Sequence, residues 1–261
     1  MIPNQDHLPK WALEAAGETH PGQVRDHNED RHLIDPRLGL YVVCDGMGGH
    51  QAGEKASEMA VESIQRSLAN RRPTGPVLTE ELLAETLRTA HQAIREAASA
   101  NLSYRGMGTT AVIAWAPGVR EAAWVAHVGD SRAYLWRHGK LEQLTEDHTW
   151  LNRIRRAGAL PANPAEWPNR HKLSQALGGS APLAPDVSRL TLQAEDVLLL
   201  CSDGLTDMLD DEAIARQLAT ETGPHHIARA LVSEANRQGG TDNITVVAIH
   251  VAGRSYPNRG G

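Results

Sequence analysis

Short runs of apolar residues, separated by polar turn residues, dominate the hydrophobic pattern of the chain. Runs of this length that are rich in Val, Ile, Leu and aromatic side chains predict β-strands. The predicted strands cover residues 11–19, 31–35, 40–44, 109–115, 122–128, 133–137, 141–144, 187–192, 197–202 and 244–251. Most of the chain is therefore expected to lie in β-sheets.

Four segments instead carry apolar residues at helical spacing. They predict helices at residues 52–70, 79–100, 211–219 and 224–237, with Thr79 as the N-cap of the second and Pro224 opening the last. A shorter helix is predicted within residues 147–157. This order of elements favours an α+β fold, in which helices pack on the outer faces of mostly antiparallel sheets.

The chain carries no linker-like stretch and no repeat, so residues 1–261 are expected to form one domain. Residues 146–180 are the least regular part, and an irregular segment of that length inside a domain is usually functional or mobile. Residues 254–261 are polar and are predicted to be a disordered tail.

Aspartates stand at the ends of four predicted strands. Asp45 and Asp203 each follow an apolar run and precede a glycine, Asp130 follows a third run, and Asp242 precedes the last one. A single Asp-Gly after a strand is usually only a turn. Four such carboxylates beside strands that could share a sheet predict a cluster, which cations or protons must neutralise. Oxygen ligands favour a hard cation, so we expect a metal site.

Composition narrows the class of partner. The net charge of −6 with mixed signs argues against nucleic acid and against an anionic membrane surface. No apolar run approaches the ~20 residues of a membrane helix, and the N-terminus lacks a signal-peptide pattern. The two cysteines, Cys44 and Cys201, imply no disulfide framework. We therefore expect a monomeric cytoplasmic protein whose cysteines are inert core thiols.

Six short motifs occur in one order along nearly the whole chain, from about residue 12 to residue 251. Together they resemble the motif set of the metal-dependent protein phosphatases (PPM, the type 2C Ser/Thr phosphatases), in the short bacterial form with only the catalytic domain. Each motif is weak alone, whereas six in order are highly specific. The motifs are Arg25-x-x-Asn-Glu-Asp30, Asp45-Gly-Met-Gly-Gly-His50, Gly108-Thr-Thr110, Gly129-Asp-Ser-Arg132, Ser202-Asp-Gly-Leu205 and Gly240-Thr-Asp-Asn243.

The resemblance implies an α-β-β-α sandwich with a metal site in a cleft at one end of the two sheets. It implies that Asp45 bridges two Mn²⁺ or Mg²⁺ ions, and that a weaker third ion lies between Asp130 and Asp203. The implied ligands are Asp45, Gly46 through its carbonyl, Asp203, Asp242, Asp130 and Glu29 through bound water, with Asp30 and Asn243 supporting them. His127, His148 and His171 are not expected among them, because Mn²⁺ and Mg²⁺ suit an oxygen site.

The implied activity is hydrolysis of phosphoserine and phosphothreonine in proteins, opposing a bacterial Ser/Thr kinase. Two divalent ions about 4 Å apart can supply hydroxide for in-line attack on phosphorus. Arg25 matches the family's phosphate-binding arginine, and its planar fork suits two phosphoryl oxygens. The leaving alkoxide needs a proton. His50 is the candidate donor and metal-bound water the alternative, because animal members have a histidine where this chain has Met47.

Two other functions compete with catalysis. A pseudophosphatase that binds phosphoproteins without turnover would be expected to lack a metal carboxylate, yet Asp45, Asp203 and Asp242 are all present. A non-catalytic cation-binding sandwich would leave Arg25 unexplained. The basic residues of segment 146–180 fit either contact with acidic or phosphorylated substrates or a solvated helix face. The leading hypothesis is therefore a catalytic metallophosphatase.

Overall fold

Two antiparallel five-stranded sheets stack face to face in the computed structural model, which describes residues 10–49, 51–69, 71, 76–117, 122–159, 163–164 and 167–255. The first sheet has the order β1-β12-β11-β8-β9 and the second the order β10-β7-β6-β3-β2, while β4 and β5 form a separate two-stranded ribbon. The strands are β1 (Lys10–His20), β2 (Arg31–Asp35), β3 (Leu40–Cys44), β4 (Gly46–Met47), β5 (Gly108–Thr109), β6 (Ala111–Trp115), β7 (Ala122–Val128), β8 (Arg132–Arg137), β9 (Lys140–Gln143), β10 (Asp186–Thr191), β11 (Val197–Cys201) and β12 (Ile244–Ser255).

Helices cover the outer face of each sheet. The helices are α1 (Gln51–Leu68), α2 (Pro76–Ala100), α3 (Trp150–Arg156), α4 (Asp203–Thr206), α5 (Asp211–Thr220) and α6 (Pro224–Arg237), and a 3₁₀ turn spans Leu102–Tyr104. The apolar faces of α1 and α2 pack on the second sheet, and those of α4, α5 and α6 pack on the first. The fold is thus the expected α-β-β-α sandwich.

Side-chain alternation along β3 builds two separate cores. Tyr41 and Val43 enter the core between the sheets, whereas Leu40, Val42 and Cys44 pack against α1 and α2. Strand β11 repeats the pattern, with Leu198 and Leu200 between the sheets and Cys201 under the helices. Both cysteines are therefore free, buried thiols, as expected. The residues that follow these strands lie at the end of the space between the sheets.

Three sequence predictions about element ends were wrong. Helix α2 begins at Pro76, so Thr79 is an internal helical residue and not the N-cap; a proline suits the first turn because its missing N–H is not needed there. The predicted strand 109–115 breaks at Thr110, which pairs instead with Asp45. Arg254 and Ser255 extend β12 opposite the start of β1, and 256–261 lie outside the described residues.

Candidate metal centre

The predicted carboxylates meet in one cleft of about 520 Å³ between the loops at one end of the two sheets. Loops from both sheets supply its wall, so residues distant in sequence become neighbours. Eight of the residues expected at the site line it: Arg25, Glu29, Asp45, Gly46, Asp130, Asp203, Asp242 and Asn243. His50, the candidate proton donor, lies outside the described residues.

Thr110 anchors the backbone of Asp45 at the end of β3. The N–H of Thr110 donates to the Asp45 carbonyl (2.9 Å), and the Asp45 N–H donates to Oγ1 of Thr110 (3.0 Å). The hydroxyl of Thr109 also donates to the Asp45 carbonyl (2.8 Å), and that of Thr110 bonds the Ser131 hydroxyl (2.6 Å). Because Ser131 follows Asp130, this network links two candidate metal carboxylates through buried hydroxyls.

Glycine follows Asp45 and Asp203 because the backbone is too crowded there for a side chain. A Cβ on Gly46 would lie 2.2 Å from the carbonyl oxygen of Gly53, and one on Gly204 would lie 2.0 Å from that of Asn243. Contacts this short are not tolerated, and backbone atoms cannot move aside as a flexible side chain can. The two Asp-Gly pairs are therefore sites of close packing as well as chain turns.

The carboxylates of Asp45, Asp130 and Asp203 face one another across the cleft and are only partly exposed to it. Burial and the carboxylates of Asp30 and Asp203 raise the pKa of Asp45 well above its usual range. Burial and Asp203 likewise raise the pKa of Asp130. Burial, with repulsion from Asp207 and Asp242, raises the pKa of Asp203 to about 6, although a hydrogen bond with Asp45 opposes the rise. Such a group is stabilised by protons or by divalent cations.

One buried oxygen points to a cation directly. Oδ1 of Asp203 is buried and has no hydrogen-bond partner among the described residues. Buried polar atoms are nearly always partnered, and a bound ion is one of the few explanations for an atom that lacks a partner. The surrounding donors are carboxylates and a backbone carbonyl, the hard oxygen ligands that Mn²⁺ and Mg²⁺ bind. The residues present therefore fit a divalent-cation site.

Asp30 and Asn243 lie behind this cluster and hold its loops. Ser202 donates from Oγ to Oδ2 of Asp30 (2.8 Å), which joins the ends of the two sheets. Burial raises the pKa of Asp30 to about 7. The side chain of Asn243 accepts from the Glu29 N–H (2.8 Å) and donates to the carbonyls of Pro21 (3.0 Å) and His27 (2.8 Å). It thereby fixes the loop that presents Glu29 to the cleft.

Arg25 lies at the rim of the cleft and is paired with a candidate metal ligand. Its Nη2 donates to Oδ2 of Asp242 (2.7 Å), and its side chain is 56% exposed. The other carboxylate oxygen of Asp242 accepts from the backbone N–H of Asn243 (2.8 Å). Each oxygen of Asp242 therefore accepts one hydrogen bond and keeps a lone pair that could bind a cation.

Sequence reasoning missed the roles of three residues near the centre. The sequence places Thr110 only in the predicted strand 109–115, without its hydrogen bonds to the Asp45 backbone, and Ser202 only in the motif around Asp203. His171, from segment 146–180, lines the cleft. Burial raises the pKa of Asp207, and His171 opposes that rise. The sequence signal that could have placed Thr110 and Ser202 near the centre is their position within or beside the metal motifs. No local pattern indicated His171.

A second group of possible ligands lies at the base of segment 146–180. Ligand atoms of His127, His148 and Asp186 all lie within 4.8 Å of one another, and the two imidazoles stack at 4.4 Å. However, Nδ1 of His148 faces the Gly129 N–H (3.2 Å) and the Gln175 amide nitrogen (2.8 Å), so it accepts. The ring proton therefore lies on Nε2, 3.1 Å from Oδ2 of Asp186. A metal would have to displace that proton, and the group is better described as a hydrogen-bonded anchor.

Facing carboxylates that can hold cations, with a guanidinium at their rim that suits a phosphoryl group, fit the class of metal-dependent phosphatases. The chain matches the protein phosphatase 2C family over residues 17–234. It is 35% identical over 244 residues to the serine/threonine phosphatase stp of Listeria innocua. The alignment covers 91% of this chain and 95% of that protein.

Two solved structures are similar over nearly their whole length. The serine/threonine phosphatase of S. agalactiae has a TM-score of 0.84 and 34% identity, covering 92% of this chain and 100% of its own. The catalytic domain of the phosphatase PstP, solved in complex with 2 manganese ions, has a TM-score of 0.80 and 32% identity over 93% of this chain and 100% of its own. The chain therefore belongs to the protein phosphatase 2C family, as a serine/threonine protein phosphatase catalytic domain of the bacterial type.

Proposed function

We propose that this phosphatase hydrolyses phosphoserine and phosphothreonine in proteins with Mn²⁺ or Mg²⁺ bound between Asp45 and Asp203. The facing, cleft-exposed carboxylates of these two residues carry the proposal, since their raised pKa values mark charge that a cation would stabilise. The orphaned Oδ1 of Asp203 supports the same placement. When bound, two divalent ions supply a water of lowered pKa as the nucleophile.

Each candidate ligand has a distinct place in this proposal. Asp45, the Gly46 carbonyl, Asp203 and Asp242 would hold the divalent ions, with Asp45 shared between them. Glu29 would act on the ions through water, in a loop that Asn243 holds. Asp130, linked to Asp45 through the hydroxyls of residues 110 and 131, would contribute with Asp203 to a weaker third site.

Arg25 binds the phosphoryl group of the substrate. Its bond to Asp242 holds the guanidinium at the rim of the cleft. A cation on Asp242 would weaken that bond and free the planar fork for two phosphoryl oxygens. Arg25 and Asp242 thus form an ion pair that metal and substrate would jointly replace.

The proton for the leaving serine or threonine alkoxide has two candidate sources. His50 remains a hypothesis from its place after the Gly-rich stretch, and metal-bound water is the alternative. A His50→Ala variant with unchanged kcat on a substrate whose leaving group has a high pKa would remove the histidine from the mechanism. A loss of kcat on such substrates, with normal rates on aryl phosphates, would support His50 as the proton donor.

The partners of this activity are phosphorylated proteins, including those of an opposing Ser/Thr kinase. We propose that the protein acts as a monomer in a reducing cytoplasm. The buried, free thiols of Cys44 and Cys201 support that compartment, because neither depends on a disulfide. Burial raises the pKa of Cys201 to about 12, and that of Cys44 well above its usual range, so neither suits a redox or nucleophilic role.

The direct test is phosphate release from a phosphothreonine peptide, with Mn²⁺ or with a chelator, by the native protein and by Asp203→Asn. We expect native activity to require the metal and the variant to lose most of it. Asp211→Asn, an exposed aspartate outside the cleft, is the matched control. A native protein that binds Mn²⁺ but releases no phosphate from several phosphopeptides would favour the pseudophosphatase.

A further inference from the structure

A second groove of about 640 Å³ adjoins the candidate metal centre. Its walls are the last turns of α2 (residues 95–99), the turn at residues 102–105 and the segment 178–180, with residues 106–108 along its floor. Met47 lines both this groove and the metal cleft, so the two lie side by side. A substrate segment that leaves the metal centre over Met47 would reach the groove.

The charge of the groove is opposite to that of the chain. Arg95 and Arg105 are the titratable side chains among its described lining residues, whereas the whole chain has a net charge of −6. Both are exposed, and within the described part of the chain neither side chain has an ion pair or a hydrogen bond. By contrast Arg88, two turns earlier on α2, is paired with Glu85 at 3.4 Å. The groove thus offers two uncompensated guanidinium groups.

The groove also offers apolar contact. Leu102 is 86% exposed at its edge, one of the few large apolar side chains so exposed among the described residues. Met47 lies along Gly108, where an added Cβ would meet its Cε at 3.3 Å. Interaction sites on proteins characteristically combine an exposed apolar residue with arginines that seek acidic partners. This combination fits a polypeptide with acidic side chains better than a small anion.

We propose that this groove binds an acidic segment of the phosphoprotein substrate, with aspartate or glutamate side chains on Arg95 and Arg105. The proposal rests on the phosphatase function proposed above and adds a sequence preference to it. Strands β4 and β5 pair Met47 with Gly108, about 4.8 Å away across the ribbon. Arg105 lies three residues before Gly108 and hence within about 10 Å of it along the chain. Counted from a phosphoresidue placed beside Met47, an extended peptide would bring a side chain to Arg105 after about three to five residues.

The test compares phosphothreonine peptides that carry glutamates three to five positions before or after the phosphoresidue with peptides that have alanines there. We expect the native protein to prefer one acidic peptide about three- to tenfold in kcat/KM, mainly through KM, and to lose much of that preference in high salt. The double variant Arg95→Gln/Arg105→Gln should lose the preference. The exposed Arg229→Gln on α6, remote from the groove, should keep it.

Two reference measurements separate this proposal from the catalytic one. Rates on the alanine peptide and on a small aryl phosphate report the metal centre alone. Fluorescence anisotropy with labelled peptides reports groove binding even without turnover. Absence of any acidic preference in the native protein, or a preference that survives in the double variant, would overturn the groove proposal while leaving the phosphatase function intact. Loss of all phosphate release with retained acidic preference in binding would overturn only the catalytic proposal.

Discussion

Replacing Asp203 by asparagine is expected to stabilise the metal-free protein and to remove its response to Mn²⁺. Asp203 is ionised above a pKa of about 6 in the folded chain, among other carboxylates and with one buried oxygen unpartnered. Its charge therefore opposes folding when no cation is bound. Asparagine keeps the shape of the side chain and removes its charge. The substitution should therefore weaken metal binding and stabilise the metal-free protein.

The magnitude follows from the displacement of the pKa. A value of about 6, against 3.8 for an ordinary aspartate, corresponds to about 3 kcal/mol in favour of the unfolded chain at neutral pH. Because Asp203 shares a hydrogen bond with Asp45, we expect the variant to gain about 1–3 kcal/mol in free energy of unfolding. This corresponds to roughly 3–10 °C in Tm for a chain of this size. Because the folded pKa lies above the unfolded one, the destabilising contribution of Asp203 in the metal-free protein shrinks as the pH falls through about 6 and has nearly vanished near 4.

The assay is thermal and urea unfolding in the presence of a chelator, from about pH 4 to about pH 8. We expect Asp203→Asn to exceed the native protein in stability near pH 8, the difference to shrink as the pH falls through about 6, and the two to converge near pH 4. Added Mn²⁺ should raise the Tm of the native protein but not that of the variant. Asp211→Asn, which loses a charge in the first turn of α5, should keep the pH dependence and the Mn²⁺ response of the native protein. A metal-free variant less stable than native near pH 8, or one with an undiminished Mn²⁺ response, would refute the reasoning.

Further predictions concern the rim, the packing and segment 146–180. Arg25→Lys should lower kcat/KM for an aryl phosphate about tenfold or more, because an ammonium cannot bind two oxygens as a guanidinium does; an unchanged value would exclude Arg25 from phosphate binding. Gly204→Ala should lower the free energy of unfolding in urea by about 2–4 kcal/mol, because its Cβ would lie 2.0 Å from a backbone carbonyl oxygen. Gly139→Ala, whose Cβ meets no neighbouring atom, should lower it by only about 1 kcal/mol. Arg156→Gln should destabilise the protein more than Arg155→Gln, since Arg156 pairs with two carboxylates at 2.8 and 3.2 Å; equal Tm values would contradict this.

The α+β order of elements and the candidate carboxylates could be predicted because their signals are local, whereas the α-β-β-α sandwich was implied by the family resemblance. Apolar runs ending in aspartate predicted Asp45 and Asp203 at strand ends, and side-chain alternation placed Cys44 away from the cleft. Helix α6, with Pro224 first, has the predicted bounds. Each of these follows from neighbouring residues, whatever the rest of the chain does.

The features that could not be predicted depend on contacts between distant segments. The break of the strand at Thr110 exists because its backbone and hydroxyl bond Asp45, 65 positions away. The pairing of Arg25 with Asp242 likewise joins the two ends of the chain. The groove beside Met47 needs α2, β5 and segment 178–180 to converge, which no single pattern in the sequence indicates.

The measurement that tests the central claim most directly is phosphate release as a function of bound Mn²⁺, with occupancy followed by calorimetry on the same preparation. The account predicts no turnover in the metal-free protein, a rise in activity with occupancy, and loss of both binding and turnover in Asp45→Asn. Full phosphate release in the presence of a strong chelator, or unchanged activity in Asp45→Asn, would contradict the assignment of this carboxylate cluster as the catalytic metal centre.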